Sequence, residues 1–130
     1  MSAPAGLEDK KILVVDDDAS MRTLTRRMLS RMGIANLAEA EGGAQALRLL
    51  EAAPVDLVIC DWNMPAMSGM ELFARARSLR PDLPFLMLTG RADAESHAAA
   101  RQAGVAAFLV KPISAPDLKV QIAYLLGTTA

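Results

Sequence analysis

Five side chains have the types and the spacing to do chemistry together. Asp16 and Asp17 directly follow the apolar run 12–15, and Asp61 follows the run 57–60. Thr89 follows 85–88, and Lys111 follows 108–110. If the ends of these runs meet, three carboxylates, one hydroxyl and one amine converge. Clustered carboxylates repel, and at least one pKa must rise unless a cation intervenes. Oxygen-only ligands favour a hard divalent ion, which in a cell points to Mg²⁺. A carboxylate beside such an ion can act as a nucleophile toward phosphorus and form an acyl phosphate. The Lys111 ammonium and the Thr89 hydroxyl would then bind the transferred oxygens. Phosphoryl transfer asks for little beyond positioning and charge neutralisation.

The same residues exclude other chemistry. A nucleotide binder wants a Gly-rich turn after the first strand, where backbone N–H groups meet phosphate. Here that turn is Asp16-Asp17-Asp18. His97 has no second His or Cys at ligand spacing, which argues against zinc.

The elements that must position these residues are legible as alternation. The four apolar runs do not alternate with polar residues, as expected of strands buried on both faces of a parallel sheet. A fifth, more polar run at 36–40 suits an edge strand. Helical patterns separate the runs. The first carries Met21, Leu24, Met28 and Leu29 on one face and stops at Gly33. The second spans 44–52. The third opens at Ser68 with Glu71 three residues later, a capping box, and ends before Pro81. The fourth spans 93–103, before Gly104. The fifth starts at Ser114 and places Leu118, Ile122, Leu125 and Leu126 at helical spacing before Gly127. Five βα units imply a doubly wound α/β domain with right-handed crossovers and a site at the carboxyl ends of its strands.

Composition bounds the rest. The 130 residues suit one domain, and 52% of them are apolar. Fourteen basic residues (Lys+Arg 14) against fifteen acidic (Asp+Glu 15) leave no basic face for nucleic acid. One cysteine, Cys60, fits a reducing compartment. No apolar run approaches the ~20 residues of a membrane span. Residues 1–11 lack the apolar stretch of a secretory signal. The expectation is a soluble, cytoplasmic protein: an N-terminal extension at 1–10, the domain at 11–126 and a C-terminal tail at 127–130, with no output domain after Leu126.

In combination the motifs resemble the receiver domains of two-component response regulators, above all the single-domain chemotaxis regulators, over residues 11–126. The resemblance is carried by Ile12-Leu13-Val14-Val15-Asp16-Asp17, by Asp61-Trp62-Asn63-Met64-Pro65 with Met67-Ser68-Gly69, by Leu88-Thr89-Gly90 and by Lys111-Pro112. It implies a flavodoxin-like five-stranded parallel sheet in the order 2-1-3-4-5. It implies a phosphorylation switch, not a turnover enzyme. Asp61 is then the phosphoacceptor. Asp17, Asp61 and the Asn63 backbone carbonyl become direct Mg²⁺ ligands, and Asp16 a ligand through water. Thr89 and Lys111 become the phosphate-binding pair, with a cis Lys111–Pro112 bond. Phe108 takes the switch aromatic position, where the chemotaxis regulators have tyrosine. Asn63 and Arg91 take positions that tune the lifetime of the phosphorylated state. The implied partners are a histidine kinase or histidine phosphotransfer protein, and a target protein on the face made by helix 4, strand 5 and helix 5.

Three other readings compete. An aspartate-nucleophile phosphatase would carry an acid two residues after the nucleophile, where this chain has Asn63. A metal-binding structural domain leaves Thr89 and Lys111 without a purpose. A receiver fragment of a larger regulator would share every feature. Among individual residues, Asp18 is either a helix N-cap or a minor participant near the metal. Cys60 is expected to be a small buried hydrophobe, His97 to face solvent, Trp62 to cover the rim of the site, and the arginines at 22, 26, 27, 31, 75, 77 and 80 to cover solvated helix faces. Gly90 is expected to leave space for Phe108 to swing inward, with packing alone holding either rotamer.

Overall fold

Apolar stretches of four or five residues, each followed by an amphipathic stretch of ten or more, fold as alternating strands and helices. The computed structural model describes residues 9–90 and 94–127. Its elements are β1 (Lys11–Val15), α1 (Ala19–Arg31), β2 (Asn36–Ala40), α2 (Gly43–Ala52), β3 (Leu57–Asp61), α3 (Gly69–Leu79), β4 (Phe85–Thr89), α4 (Ala94–Ala103), β5 (Ala107–Val110) and α5 (Ala115–Leu125). The strands form one parallel sheet in the order β2-β1-β3-β4-β5.

Successive residues of a strand point to opposite faces, and both faces are covered. Leu13, Val15, Val58, Cys60, Phe85 and Met87 pack with Ala46 and Leu50 of α2, Leu72 and Phe73 of α3, and Ala100 of α4. Ile12, Val14, Leu57, Ile59, Leu86 and Leu88 pack with Leu29 of α1 and with Leu118 and Ile122 of α5. Helices on both faces explain why β1, β3 and β4 read as unbroken apolar runs.

The edges differ. β2 is an outer strand, as its polar character suggests. β5 is the other, and only half of what its apolar run implies is realised: Phe108 and Leu109 are half-buried and Val110 is exposed. A strand with one neighbour has less of its surface covered.

Local signals end the helices where expected. Asp18 caps α1, its side chain accepting from the N–H groups of Ser20 and Met21. The Oγ atoms of Ser68 and Ser114 accept from the N–H groups of Glu71 and Asp117. Gly33, Gly104 and Gly127 adopt the left-handed φ that terminates helices. The inward face of α1 needs correction. Leu24 is 43% exposed, whereas Thr25 is buried. Thr25 and Leu29 are buried, with Met21 and Met28 half-buried beside them and Met32 buried at the C-cap, a stripe that leaves Leu24 on the flank. The expected start of the fourth helix at Asp93 lies outside the described residues, as does Arg91. Among the described residues no helix is long and apolar enough to cross a membrane.

One glycine sets how closely α3 approaches the sheet. The N–H of Gly69 donates to the Trp62 carbonyl at 2.8 Å. A Cβ on Gly69 would lie 2.6 Å from the Asp61 carbonyl oxygen and 3.0 Å from the Trp62 Cα, both backbone atoms that cannot swing aside. Gly69→Ala is expected to cost about 1–3 kcal/mol, as overpacking does. Gly90→Ala meets nothing within 4 Å and should stay within about 0.5 kcal/mol of wild type. Urea unfolding of both variants checks the pair; equal midpoints would refute the packing argument.

Candidate functional site

β1 and β3 are neighbours, with Val15 opposite Cys60. One residue further along, Asp16 and Asp61 stand side by side at the strand ends, where the sheet reverses its order of connection. Both are buried, while Asp17 is exposed. One carboxylate oxygen from each of Asp16, Asp17 and Asp61 lies within 4.8 Å of the other two. On the far side, Thr89 pairs with Val110 in the β4–β5 register. The Lys111 N–H then donates to the Thr89 carbonyl at 2.7 Å. That bond carries Lys111 back over the site. Its Nζ donates to Asp61 Oδ1 at 3.1 Å and lies 3.9 Å from Asp16 Oδ2. The Lys111–Pro112 peptide is cis.

Asp16 is the most constrained of the acids. Its N–H donates to the Ala40 carbonyl at 3.1 Å. Its own carbonyl accepts from Arg22 Nη1 at 2.7 Å, and its Oδ1 accepts from the Asp18 N–H at 2.9 Å. Oδ2 is buried with no hydrogen-bond partner, because 3.9 Å to Lys111 is too long for one. Burial pushes the Asp16 carboxyl above its ordinary value. The bond from the Asp18 N–H works against burial, the Asp61 charge adds to it, Lys111 opposes it, and Asp17 adds to it last. The expected conflict among the acids is therefore present. A buried carboxylate oxygen without a donor, in a cluster of oxygen ligands, fits a hard cation such as Mg²⁺.

The remaining site residues frame this cluster. Trp62, Asn63, Thr89 and Ser96 line a cleft of about 190 Å³ beside it. Thr89 is buried and Asn63 exposed. Cys60 is fully buried, and burial together with the Asp61 and Asp16 carboxylates pushes its thiol far up, consistent with an inert core residue. Asp18 resolves as the N-cap of α1.

Two expectations are corrected. His97 is half-buried, and its ring stacks on Phe108 with centroids 4.3 Å apart and planes at 19°. Trp62 lies 6.2 Å from Phe108, and the Arg101 guanidinium sits over the Phe108 ring at 5.3 Å. Packing does hold Phe108, but through specific partners from α4 and from Trp62, just past the end of β3. Nor are all the arginines solvated. Arg22 is 13% exposed and paired with Glu39. Arg80 is half-buried and donates to the carbonyls of Leu50 and Ala53, whereas Arg77, which donates to that of Ala103, stays exposed as expected. Nothing in the sequence separates Arg22 and Arg80 from the exposed arginines, because Glu39 and the Leu50 and Ala53 carbonyls reach them only through the fold. Ser96 was likewise invisible as a cleft residue.

A family model described as the response regulator receiver domain matches residues 12–123. The chain belongs to that family. The chemotaxis protein CheY of Pseudomonas aeruginosa is 41% identical over 114 residues, covering 86% of this chain and 92% of that protein. CheY-3 of Vibrio cholerae is 40% identical over 117 residues, covering 88% and 90%. Among known structures, Vibrio cholerae CheY4 superposes with a TM-score of 0.82 at 32% identity, covering 90% of this chain and 98% of that one. The response regulator TrrA of Thermotoga maritima, in complex with Mg²⁺ and BeF, gives 0.81 at 32% identity, covering 90% and 99%. This chain is thus a CheY-like receiver, a regulatory switch of two-component signalling.

The raised pKa of Asp16 makes a signed prediction for the metal-free receiver. The folded state holds the Asp16 proton more tightly than the unfolded chain does, so ionised Asp16 destabilises the fold. That penalty is full above the folded-state pKa and vanishes below the ordinary value of 3.8. Asp16→Asn should therefore raise the melting temperature at pH 7 in the presence of a chelator. A gain of about 3–4 °C corresponds to ~1 kcal/mol in a domain of this size. The gain should shrink as pH falls toward 3.8. Calorimetry across that range tests it, and no gain at pH 7 would count against a cost of burying the ionised Asp16.

Proposed function

We propose that Asp61 accepts a phosphoryl group from a histidine kinase or histidine phosphotransfer protein, and that the modified receiver changes its affinity for a target protein. The observation that carries this reading is the Asp61 carboxylate itself. It is buried, is held at one oxygen by the Lys111 ammonium, and lies within 4.8 Å of the Asp16 and Asp17 oxygens. Asp17, Asp61 and the Asn63 backbone carbonyl would hold Mg²⁺ directly, with Asp16 acting through a bound water. The ion, when bound, supplies positive charge to the cluster and to the phosphoryl oxygens.

This chain's own residues do the rest. A carboxylate oxygen of Asp61 bonds to phosphorus as the bond from phosphorus to the donor's imidazole nitrogen breaks. The electron pair leaves with that nitrogen. The Lys111 ammonium passes from Asp61 Oδ1 to a phosphoryl oxygen, and the Thr89 hydroxyl donates to another, both as charge-assisted hydrogen bonds. Hydrolysis of the acyl phosphate restores Asp61 and releases inorganic phosphate. Asn63, on the rim of the cleft, tunes that hydrolysis. Arg91, assigned by its place in the sequence, does so too.

Output runs through Phe108. As Thr89 moves toward the phosphoryl group it vacates volume, and an unfilled void forfeits packing contacts. Phe108 turns inward to fill it and leaves its stack on His97 of α4. The face changed in this way is that of α4, β5 and α5, where Val110, Val120 and Tyr124 are exposed apolar side chains suited to a protein partner. A cytoplasmic setting supplies the kinase and Mg²⁺.

Two measurements test this. Acetyl phosphate with Mg²⁺ should add one phosphoryl group to the wild type and none to Asp61→Asn by intact mass; equal gains would displace Asp61 as the acceptor. In NMR, beryllofluoride with Mg²⁺ should move the Phe108 and His97 ring signals together as their stack opens. Changes confined to the residues around Asp61 would rule out the Phe108 route.

A further inference from the structure

Arg22 lies one turn beyond the Asp18 cap of α1, with its guanidinium turned back over the end of β1. Nη1 donates to the Asp16 carbonyl at 2.7 Å. Nε lies 3.4 Å from Glu39 Oε1, and Nη2 lies 3.9 Å from Glu41 Oε1. The side chain is only 13% exposed, against 48% for Arg26, which shares Glu39 from the opposite side. Glu39 is itself fixed in β2, in register with Val14 of β1. The planar guanidinium thus spans three elements, a reach that a single ammonium cannot reproduce.

The acceptor matters most. The Asp16 carbonyl stands one residue past the end of β1. With the Asp16 N–H held by Ala40 and Oδ1 held by the Asp18 N–H, the Arg22 bond fixes the remaining backbone polar atom of this residue. Only Oδ2 is left uncommitted, buried and aimed at Lys111 and the cluster. Glu39 and Glu41 offset the charge of Arg22, so its presence alters geometry at Asp16 more than field.

We propose that Arg22, braced by Glu39, is a positioning residue for Mg²⁺ binding: it sets the peptide of Asp16 and thereby the direction of the free carboxylate oxygen. This rests on the reading of the acidic cluster as a Mg²⁺ site. Loss of an outer partner of a metal ligand typically costs about tenfold to a hundredfold in affinity.

The test is Mg²⁺ titration of the full chain by calorimetry, supported by the fluorescence of Trp62, the single tryptophan. Arg22→Met should weaken Mg²⁺ binding about tenfold, the low end for such partners. Arg22→Lys, whose ammonium can engage the Asp16 carbonyl or Glu39 but not span both, should fall between Arg22→Met and wild type. Arg26→Met, which shares Glu39 but does not touch Asp16, should bind like wild type. In metal-free Arg22→Met the Asp18 amide signal should shift as its bond to Asp16 Oδ1 loosens. A lowered melting temperature with unchanged Mg²⁺ affinity would reduce Arg22 to a structural residue and overturn the proposal. So would equal weakening by Arg26→Met, since that is a charge effect. If the wild type itself fails to bind Mg²⁺, the cluster reading falls and takes this proposal with it. Wild-type binding that Arg22→Met leaves unchanged overturns the positioning role alone.

Discussion

Asp16, Asp17 and Asp61 are held at the ends of two adjacent strands against their mutual repulsion, and much of the structure bears that constraint. The sheet makes the encounter unavoidable. β1 and β3 pair in parallel, so the residues that follow Val15 and Cys60 emerge side by side. The apolar core on both faces of the sheet supplies the burial that fixes them there, and the same burial raises the Asp16 carboxyl. A cluster of this kind carries an electrostatic conflict that a bound cation would resolve. Lys111 compensates part of the conflict by bonding Asp61 across the sheet.

Compensation is local, and so is precision. Asp16 is held through backbone and side chain by α1, by β2 and by its own turn, leaving one oxygen free. Gly69 lets the start of α3 reach the Asp61–Trp62 backbone, which no residue with a Cβ could do without displacement. These contacts lie outside the acidic cluster. They decide where its oxygens point, and a site loosened by a fraction of an ångström loses much of its function.

On the opposite rim, Phe108 is held by aromatic and cationic contacts. Its ring rests against His97 and beneath Arg101, so β5 and the helix α4 share this contact. Such a stack contributes about 0.5–1.5 kcal/mol beyond area burial. That is enough to bias a rotamer and small enough to be overcome, which suits a switch.

The chain alone determined the alternation of five strands and five helices, since apolar runs and amphipathic stretches differ in period and length. It also determined which side chains end up at the strand tips, because a residue following a buried run must emerge at its end. Ser68 as a cap and Cys60 as a core residue were legible for the same local reason, while the structure settled Asp18 as a cap. Tertiary structure decided everything that depends on partners distant along the chain. Arg22 looked like any other arginine of α1 until β2 brought Glu39 beside it and the end of β1 presented its carbonyl. His97 looked solvated until α4 packed across β5 and laid its ring on Phe108. Leu24 turned outward and Thr25 inward because helical spacing gives the width of a buried stripe but not its rotation, which the neighbouring sheet sets. Local pattern fixes the order of elements and their ends; the direction of a long polar side chain is fixed only by what the fold places within its reach.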